Sequence, residues 1–426
     1  MKIHLDSVGC RLNQAEIERM ARQFRAAGHE LVASPQGADL AVVNTCAVTT
    51  DAAADSRQML RHIARAGVPR IIPTGCLATL QPKEIGNLPN IHQVVTNDRK
   101  DDLVEVILES AASVDPDLEP IARQPLPGLH HRTRAFIKVQ DGCDNACTFC
   151  VTTVARGAGS SRRLEDVLED VRFALAGGTK EIVLTGVHLG SWGQDLGTRL
   201  GGLVSGILEQ AQPPRIRLSS LEPWDLDADF FKLFTNPHLM PHLHLPLQSG
   251  SAGTLKRMAR KTTPDSFRDL VRAAREVMPE VAITTDVIVG FPGETEAEFA
   301  ETLDFVRGMD FAGGHVFSYS PRPFTAAAKM KGQTRPEVRK KRNEILRGVF
   351  EDSMHAYQRK FLGRRVKVLW ESASELDEWG WQMEGWTENY LRVRASAASP
   401  RWNELDEVEL VELVGDTLRG VIRDSG

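Results

Sequence analysis

The sequence predicts an α/β protein in three parts: an N-terminal doubly wound α/β domain, a central partial (β/α)6 barrel, and a small C-terminal all-β barrel. Three observations carry this expectation. The first hundred residues alternate strand-like and helix-like runs. The middle of the chain repeats a strand and a helical stretch six times, two units short of a complete eight-unit barrel. After about residue 365 the pattern changes to short strands separated by turns, which a closed or nearly closed barrel would protect from raw edges.

In order, KIHLDSVG reads as a strand and NQAEIERMARQFRAAG as the helix after it. Ile17, Met20, Ala21 and Phe24 fall on one helical face, and Gly28 ends the run. DLAVVNTC and RIIPTGC are continuous apolar runs of the kind found in strands buried on both faces, with a helical stretch between them. The polar, proline-dotted DPDLEPIARQPLPGLHHRTR then reads as a linker. The six central strand candidates are AFIKVQ, EIVLTG, RIRLSS, HLHLPL, VAITTDVIVG and GHVFSYS. Leu164, Val167, Leu168, Val171 and Leu175 give a helix between the first two, stopped by Gly177–Gly178. RPEVRKKRNEILRG and QRKFLGRR form a basic helical connector, and VKVLWES, WQMEGWTENYLRVRA, VELVELVG and LRGVIRDS the closing strands. The expected boundaries are 1–120, a linker 121–132, 133–357 and 358–426.

Composition sets the outer limits. A chain of 426 residues exceeds one ordinary core. With 42% hydrophobic residues and no long apolar run, a membrane span is not expected. MKIHLDSVGC lacks the features of a signal peptide, so a cytoplasmic location is expected, where six cysteines stay reduced. A net charge of −5 argues against a global nucleic-acid-binding field and leaves only local basic patches.

The six cysteines fall into two groups. Cys143, Cys147 and Cys150 have the spacing C-x3-C-x2-C and follow the first barrel strand, where barrel enzymes keep their chemistry. Three thiolates on a four-iron cluster leave one iron open, as reactivity requires. The run resembles that of radical S-adenosylmethionine (SAM) enzymes, in which the open iron chelates SAM. Cys10, Cys46 and Cys76 each close a strand of the N-terminal domain, so the doubly wound topology brings them to one sheet edge. They suit a second cluster; a zinc site completed by His62 or His92 is the rival metal reading. Other strand ends carry groups a SAM site could use: Thr185 and Gly186, Ser219, Ser220 and Glu222, Gln248 and Ser249, and Asp286 ahead of GFPGET. Phe149 could pack on adenine or simply fill core.

With these residues in place, the chain resembles the radical-SAM methylthiotransferases across essentially its whole length. KVQDGCDNACTFCVTTVARGAGSSR, LQSGS, TDVIVGFPGET, the three N-terminal cysteines and the terminal β module occur in that family's order. The resemblance implies two 4Fe-4S clusters, one on Cys143, Cys147 and Cys150 and an auxiliary one on Cys10, Cys46 and Cys76. It also implies a terminal TRAM-like domain that engages substrate. In the implied reaction one SAM methylates a cluster-bound sulfur and a second yields the radical that abstracts hydrogen. A small electron carrier such as flavodoxin or ferredoxin would be the reductant; the sulfur donor is not legible, and a monomer is expected.

HRTRAFIKVQDGCDNACTFC, ARGAGSSR and HVFSYSPRPFTAAAKM look most like the branch that modifies threonylcarbamoyladenosine beside the anticodon of tRNA. RPFTAA, and KTT at Lys261–Thr263, depart from that branch's usual pattern. The alternatives are isopentenyladenosine in tRNA and an aspartate of a ribosomal protein. A two-cluster electron carrier or redox sensor would explain the cysteines but not the barrel. For RNA contact, Arg339, Lys340 and Lys341 in the connector are the electrostatic candidates. Trp381, Trp386 and Tyr390, with Arg392 and Arg394, could stack on bases and meet phosphates, or the tryptophans could fill a small β core.

Overall fold

The structure, a computed structural model, describes residues 1–108, 133–377 and 380–423. The expected linker at 121–132 lies outside the described residues.

The N-terminal sheet has strands β1 (Lys2–Ser7), β2 (Glu30–Val32), β3 (Leu40–Thr45) and β4 (Ile71–Gly75), in the order β2-β1-β3-β4. All neighbours are parallel. Every residue of β3 is buried, as its unbroken apolar run requires of a central parallel strand. Helix α1 (Arg11–Ala26) turns Ile17, Met20, Ala21 and Phe24 into the core. Helix α2 (Thr50–Arg65) starts where the Thr49 side chain accepts from the Ala52 amide. Strand β2 escapes sequence reading because three residues are too few to establish an alternation.

The central region runs β5 (Arg134–Lys138), a two-residue ladder of β6 (Gln140–Asp141) with β7 (Ser160–Ser161), then β8 (Glu181–Thr185), β9 (Arg215–Leu218), β10 (His242–His244), β11 (Ala282–Val289) and β12 (Gly313–Ser318). Strands β5-β8-β9 and β10-β11-β12 form two parallel sheets. Parallel bridges Ile216↔Leu239 and Ser220↔His244 join them into one open curve of six strands in sequence order. Ile137, Ile182, Leu184, Ile216, Leu243 and Val287 pack outward against the helices. The alternate residues line the concave face, where Ala15 of α1 packs on Phe136 and Val183. The N-terminal domain therefore plugs part of the opening that a full barrel would close.

The basic stretch after residue 335 is not a free connector. Pro336–Arg359 is one helix packed along β12 as the sixth outer helix. Its Arg342 is buried, with ion pairs of 2.6 Å to Glu294 and Glu296.

The terminal module is a closed barrel of β13 (Arg365–Asp377), β14 (Gly380–Thr387), β15 (Arg392–Ala397), β16 (Leu405–Val414) and β17 (Thr417–Arg423), ordered β13-β14-β15-β17-β16. The run WQMEGWTENYLRVRA splits into two strands around a turn in which Tyr390 takes a φ of 63°. The module docks where the barrel strands begin. Arg215 donates to the carbonyls of Trp386 and Lys367, and Arg217 to those of Thr387 and Glu388, at 3.0–3.3 Å. Among the described residues no helix is long and apolar enough to cross a membrane.

Candidate active site

The parallel sheet brings Cys10, Cys46 and Cys76 together at the carboxyl ends of β1, β3 and β4. Cys10 sits at the N-terminal cap of α1, Cys46 follows β3 directly, and Cys76 opens the short helix Cys76–Leu80. Two glycines make the approach possible. Gly9, at φ +108°, would place a Cβ 2.7 Å from Cys46 Cβ and 2.8 Å from its Sγ. Gly75, at φ +91°, would place one 2.4 Å from Asn44 Oδ1 and Thr45 O. Cys46 and Cys76 are buried and Cys10 is exposed. Burial, reinforced by the neighbouring Cys10 and Cys76 sulfurs, pushes the Cys46 thiol up to about 11. Three thiols whose charges oppose one another this way are a donor set suited to a thiophilic metal group.

The second triad lies in the loop after β6. Cys143 N donates to Gly157 O and Cys150 N to Cys147 O, both at 3.0 Å. Cys143 Sγ accepts from Asn145 N at 3.4 Å and from Asn145 Nδ2 at 3.5 Å. His188, beyond β8, lies beside this sulfur, with Asn145 Nδ2 3.2 Å from its Nδ1 and Asp225 on its Nε2. Burial opposes a charge on His188, but Asp225 and Cys143 outweigh it and raise the imidazole to about 9. Burial likewise opposes the Cys143 thiolate, and His188 and Asn145 overcome it, lowering that thiol. Cys147 is raised by burial despite Arg260, whose Nη1 lies 3.8 Å from its sulfur. N–H donors aimed at sulfur fit thiolate ligands of a metal cluster.

The other residues predicted for this rim separate into two sets. Thr185 and Ser219 are buried at adjoining strand ends, and Ser219 Oγ has no partner among the described residues. Gly186 lies over Gln140, and Gln248, at φ +68°, bonds β11 through its backbone. Glu222, by contrast, is taken up by Arg260 at 2.5 and 3.0 Å, with the guanidinium stacked 4.4 Å from the Trp224 ring centre. Asp286 pairs with His244 at 3.2 Å and His315 at 3.3 Å on the concave face. Phe149, half-buried, meets Phe291 edge-on beside a small apolar cluster with Met258 and Tyr319.

One short helix, Thr152–Arg156, connects the two thiol groups. It packs on Cys76–Leu80, and Asn97 Nδ2 reaches both Ala155 O at 2.7 Å and Cys76 Sγ at 3.9 Å. Arg156 bonds Asn13 and Glu16 of α1 and Asp141 of β6 at 2.8–2.9 Å. Glu16 is buried with Lys100 at 2.7 Å, Arg156 at 2.9 Å and Lys138 at 3.5 Å. Burial works against its charge, but Lys100, Arg156 and Lys138 hold the carboxyl well below its usual range. The loop after β12 spans the same junction, touching α2 through Ser320 and Thr50 at 2.8 Å and the cysteine loop through Ala327 N and Thr148 O at 2.8 Å.

The RNA candidates are dispersed. Arg339 is half-buried, lies over Gly290 and donates to Tyr319 O, whereas Lys340 and Lys341 are exposed. Trp386 and Tyr390 stack on each other at 4.4 Å. Tyr390 also packs against the His242 ring, 4.5 Å away and tilted by 30°, and its hydroxyl accepts from Arg11 at 2.8 Å and Arg134 at 3.2 Å. Both rings thus help seat the module on the barrel. Arg392 is exposed but shares Glu384 with Arg394. His188, Arg260, Arg156 and Glu16 carried no sequence signal, because each acts across elements distant in the chain.

Residues 137–306 match the Radical SAM superfamily and residues 2–96 the uncharacterized protein family UPF0004. The chain is 39% identical to the threonylcarbamoyladenosine tRNA methylthiotransferase MtaB of Thermotoga maritima, over 86% of each chain. Against the Bacillus subtilis protein of that name, identity is 35% over 91% of this chain and 88% of that one. The tRNA-2-methylthio-N(6)-dimethylallyladenosine synthase of Parafrankia sp. is 37% identical, over 85% and 76%. In fold the chain is similar to the radical SAM methyltransferase TsrM of Kitasatospora setae, at a TM-score of 0.59 and 15% identity, covering 77% and 75%. Fold and thiol loop thus define a radical-SAM enzyme, with SAM and 4Fe-4S clusters as its cofactors. The chain belongs to the methylthiotransferase family and is most like its threonylcarbamoyladenosine tRNA branch.

Proposed function

We propose that this enzyme converts N6-threonylcarbamoyladenosine next to the anticodon of tRNA to its 2-methylthio derivative. The observation that carries the reading is the pairing of two thiol triads across the helix Thr152–Arg156, on a chain similar along most of its length to enzymes named for that reaction. Cys143, Cys147 and Cys150 would hold the SAM cluster, and Cys10, Cys46 and Cys76 the auxiliary cluster that carries the sulfur to be transferred. When bound, these groups supply one-electron reduction, radical formation and sulfur. The chain's own part is placement. Asn145, His188 and Arg260 set the charge around the Cys143 and Cys147 sulfurs. Buried Ser219 and Thr185 offer hydroxyls for SAM at the strand ends. Arg156 and Glu16 fix one triad relative to the other, which converts cleavage and transfer into one confined sequence.

Nucleoside mass spectrometry of tRNA from cells lacking the protein, with and without its return, tests this. Loss and recovery of 2-methylthio-threonylcarbamoyladenosine supports the reading. A change in the methylthio-isopentenyl nucleoside instead would transfer it to the other tRNA branch, and no change in either would point to the ribosomal protein.

A further inference from the structure

The concave face holds a polar cluster that neither thiol triad uses. His244 of β10, Asp286 of β11 and His315 of β12 stand on three adjacent strands. The carboxylate is held between the two rings, at 3.2 Å from His244 Nε2 and 3.3 Å from His315 Nδ1. His244 is saturated, since its Nδ1 lies 3.0 Å from Thr284 Oγ1. His315 is not: its side chain is 73% exposed, and its Nε2 has no partner among the described residues. Asp286 orients the ring and, opposed by burial, raises its pKa. The charged groups acting on His315 are Asp286, which favours its charge, and Arg11, which opposes it, with the His244 ring 6.4 Å away.

Arg11 ties this cluster to the chemistry. It follows Cys10 directly, and its guanidinium is held by the Tyr390 hydroxyl at 2.8 Å. One strand residue pair beyond His315, Phe317 presents a 43% exposed ring, 6.3 Å from the imidazole between centroids. An imidazole oriented by a carboxylate, with an open aromatic face next to it and a guanidinium from the neighbouring domain, forms a receptor for an anionic group attached to a planar base. Resting on the substrate reading above, we propose that His315 and Arg11 bind the carboxylate of the threonyl group of the substrate nucleoside while Phe317 stacks on its base. His315 is then a specificity residue that separates this substrate from one bearing an apolar N6 substituent.

The test uses the cluster-loaded enzyme and three anticodon stem-loop RNAs carrying threonylcarbamoyladenosine, its methyl ester or isopentenyladenosine. Binding is read by fluorescence anisotropy and product by mass spectrometry. The unsubstituted enzyme should prefer the free acid over the ester by about tenfold or more, the usual span of one charge-assisted hydrogen bond. His315→Gln should bring that ratio to within about twofold, and His315→Arg should retain it. An acid-to-ester ratio near one in the unsubstituted enzyme would overturn the proposal. So would a His315→Gln variant that weakens acid and ester equally, as a backbone-phosphate contact or a folding role would do. If only the isopentenyl RNA is converted, the substrate reading itself falls, and the carboxylate proposal with it.

Discussion

Replacing Glu16 with Gln removes the anion from a buried site in which Lys100, Arg156 and Lys138 converge, with hydrogen-bond support from Asn44 at 2.9 Å. The side chain is 2% exposed, so water cannot substitute for the lost charge. Breaking one partner of a buried ion pair costs about 3–5 kcal/mol. The lower end applies here. Arg156 keeps Asp141 at 2.8 Å, Lys138 keeps Asp141 and Asp101 at 2.7 and 3.2 Å, and Lys100 can shed its proton, being already lowered by burial. About 3 kcal/mol should therefore be lost at neutral pH. The sign with pH follows from the depressed carboxyl: its contribution is present above the unfolded value near 4.5 and fades as pH falls through the folded value. The gap between parent and variant should therefore narrow in acid. Residues 1–108 contain no tryptophan, so fluorescence would miss the event. Hydrogen exchange of β1, β3 and β4 reads it directly, and about 3 kcal/mol means roughly a hundredfold faster exchange. Asp229→Asn, in an exposed pair, should leave those amides unchanged. Protection in Glu16→Gln within about threefold of the parent would refute the view that this network pins the two triads.

Further outcomes follow from the same geometry. Alanine at Cys143, Cys147 and Cys150 should abolish cleavage of SAM to 5′-deoxyadenosine. Alanine at Cys10, Cys46 and Cys76 should leave uncoupled cleavage without methylthio product, and product from that variant would disprove the auxiliary assignment. Tyr390→Phe deletes the hydroxyl that accepts from Arg11 and Arg134 and should cost about 1–2 kcal/mol in tryptophan-monitored denaturation; no change would mean the module is held elsewhere. Lys340→Glu with Lys341→Glu should weaken tRNA binding and flatten its salt dependence, whereas equal affinity at low and high salt would remove this helix from the RNA surface. Arg339 is excluded from that pair because its bond to Tyr319 O would confuse folding with binding.

Periodicity and spacing made the three-part architecture legible, because a buried strand, an amphipathic helix and a C-x3-C-x2-C loop are local patterns. The matching positions of Cys10, Cys46 and Cys76 at strand ends were equally visible, since parallel topology turns equal positions along strands into proximity in space. Reading failed where one local pattern fits two environments. A run of Arg and Lys looked like a connector, yet Arg342 is buried against two carboxylates and the helix completes the barrel's outer layer. Trp386 and Tyr390 had the composition of an RNA platform but are stacked at a module junction.

By itself, then, the sequence determined the fold class and the family and grouped the six cysteines into two triads, all of which rest on short-range order. The tertiary structure alone decided which charges meet. Glu16 collects cations from positions 100, 138 and 156, and Asp286 is flanked by His244 and His315, from strands on either side of its own. Such pairings depend on how elements cross, and sequence spacing carries no record of it.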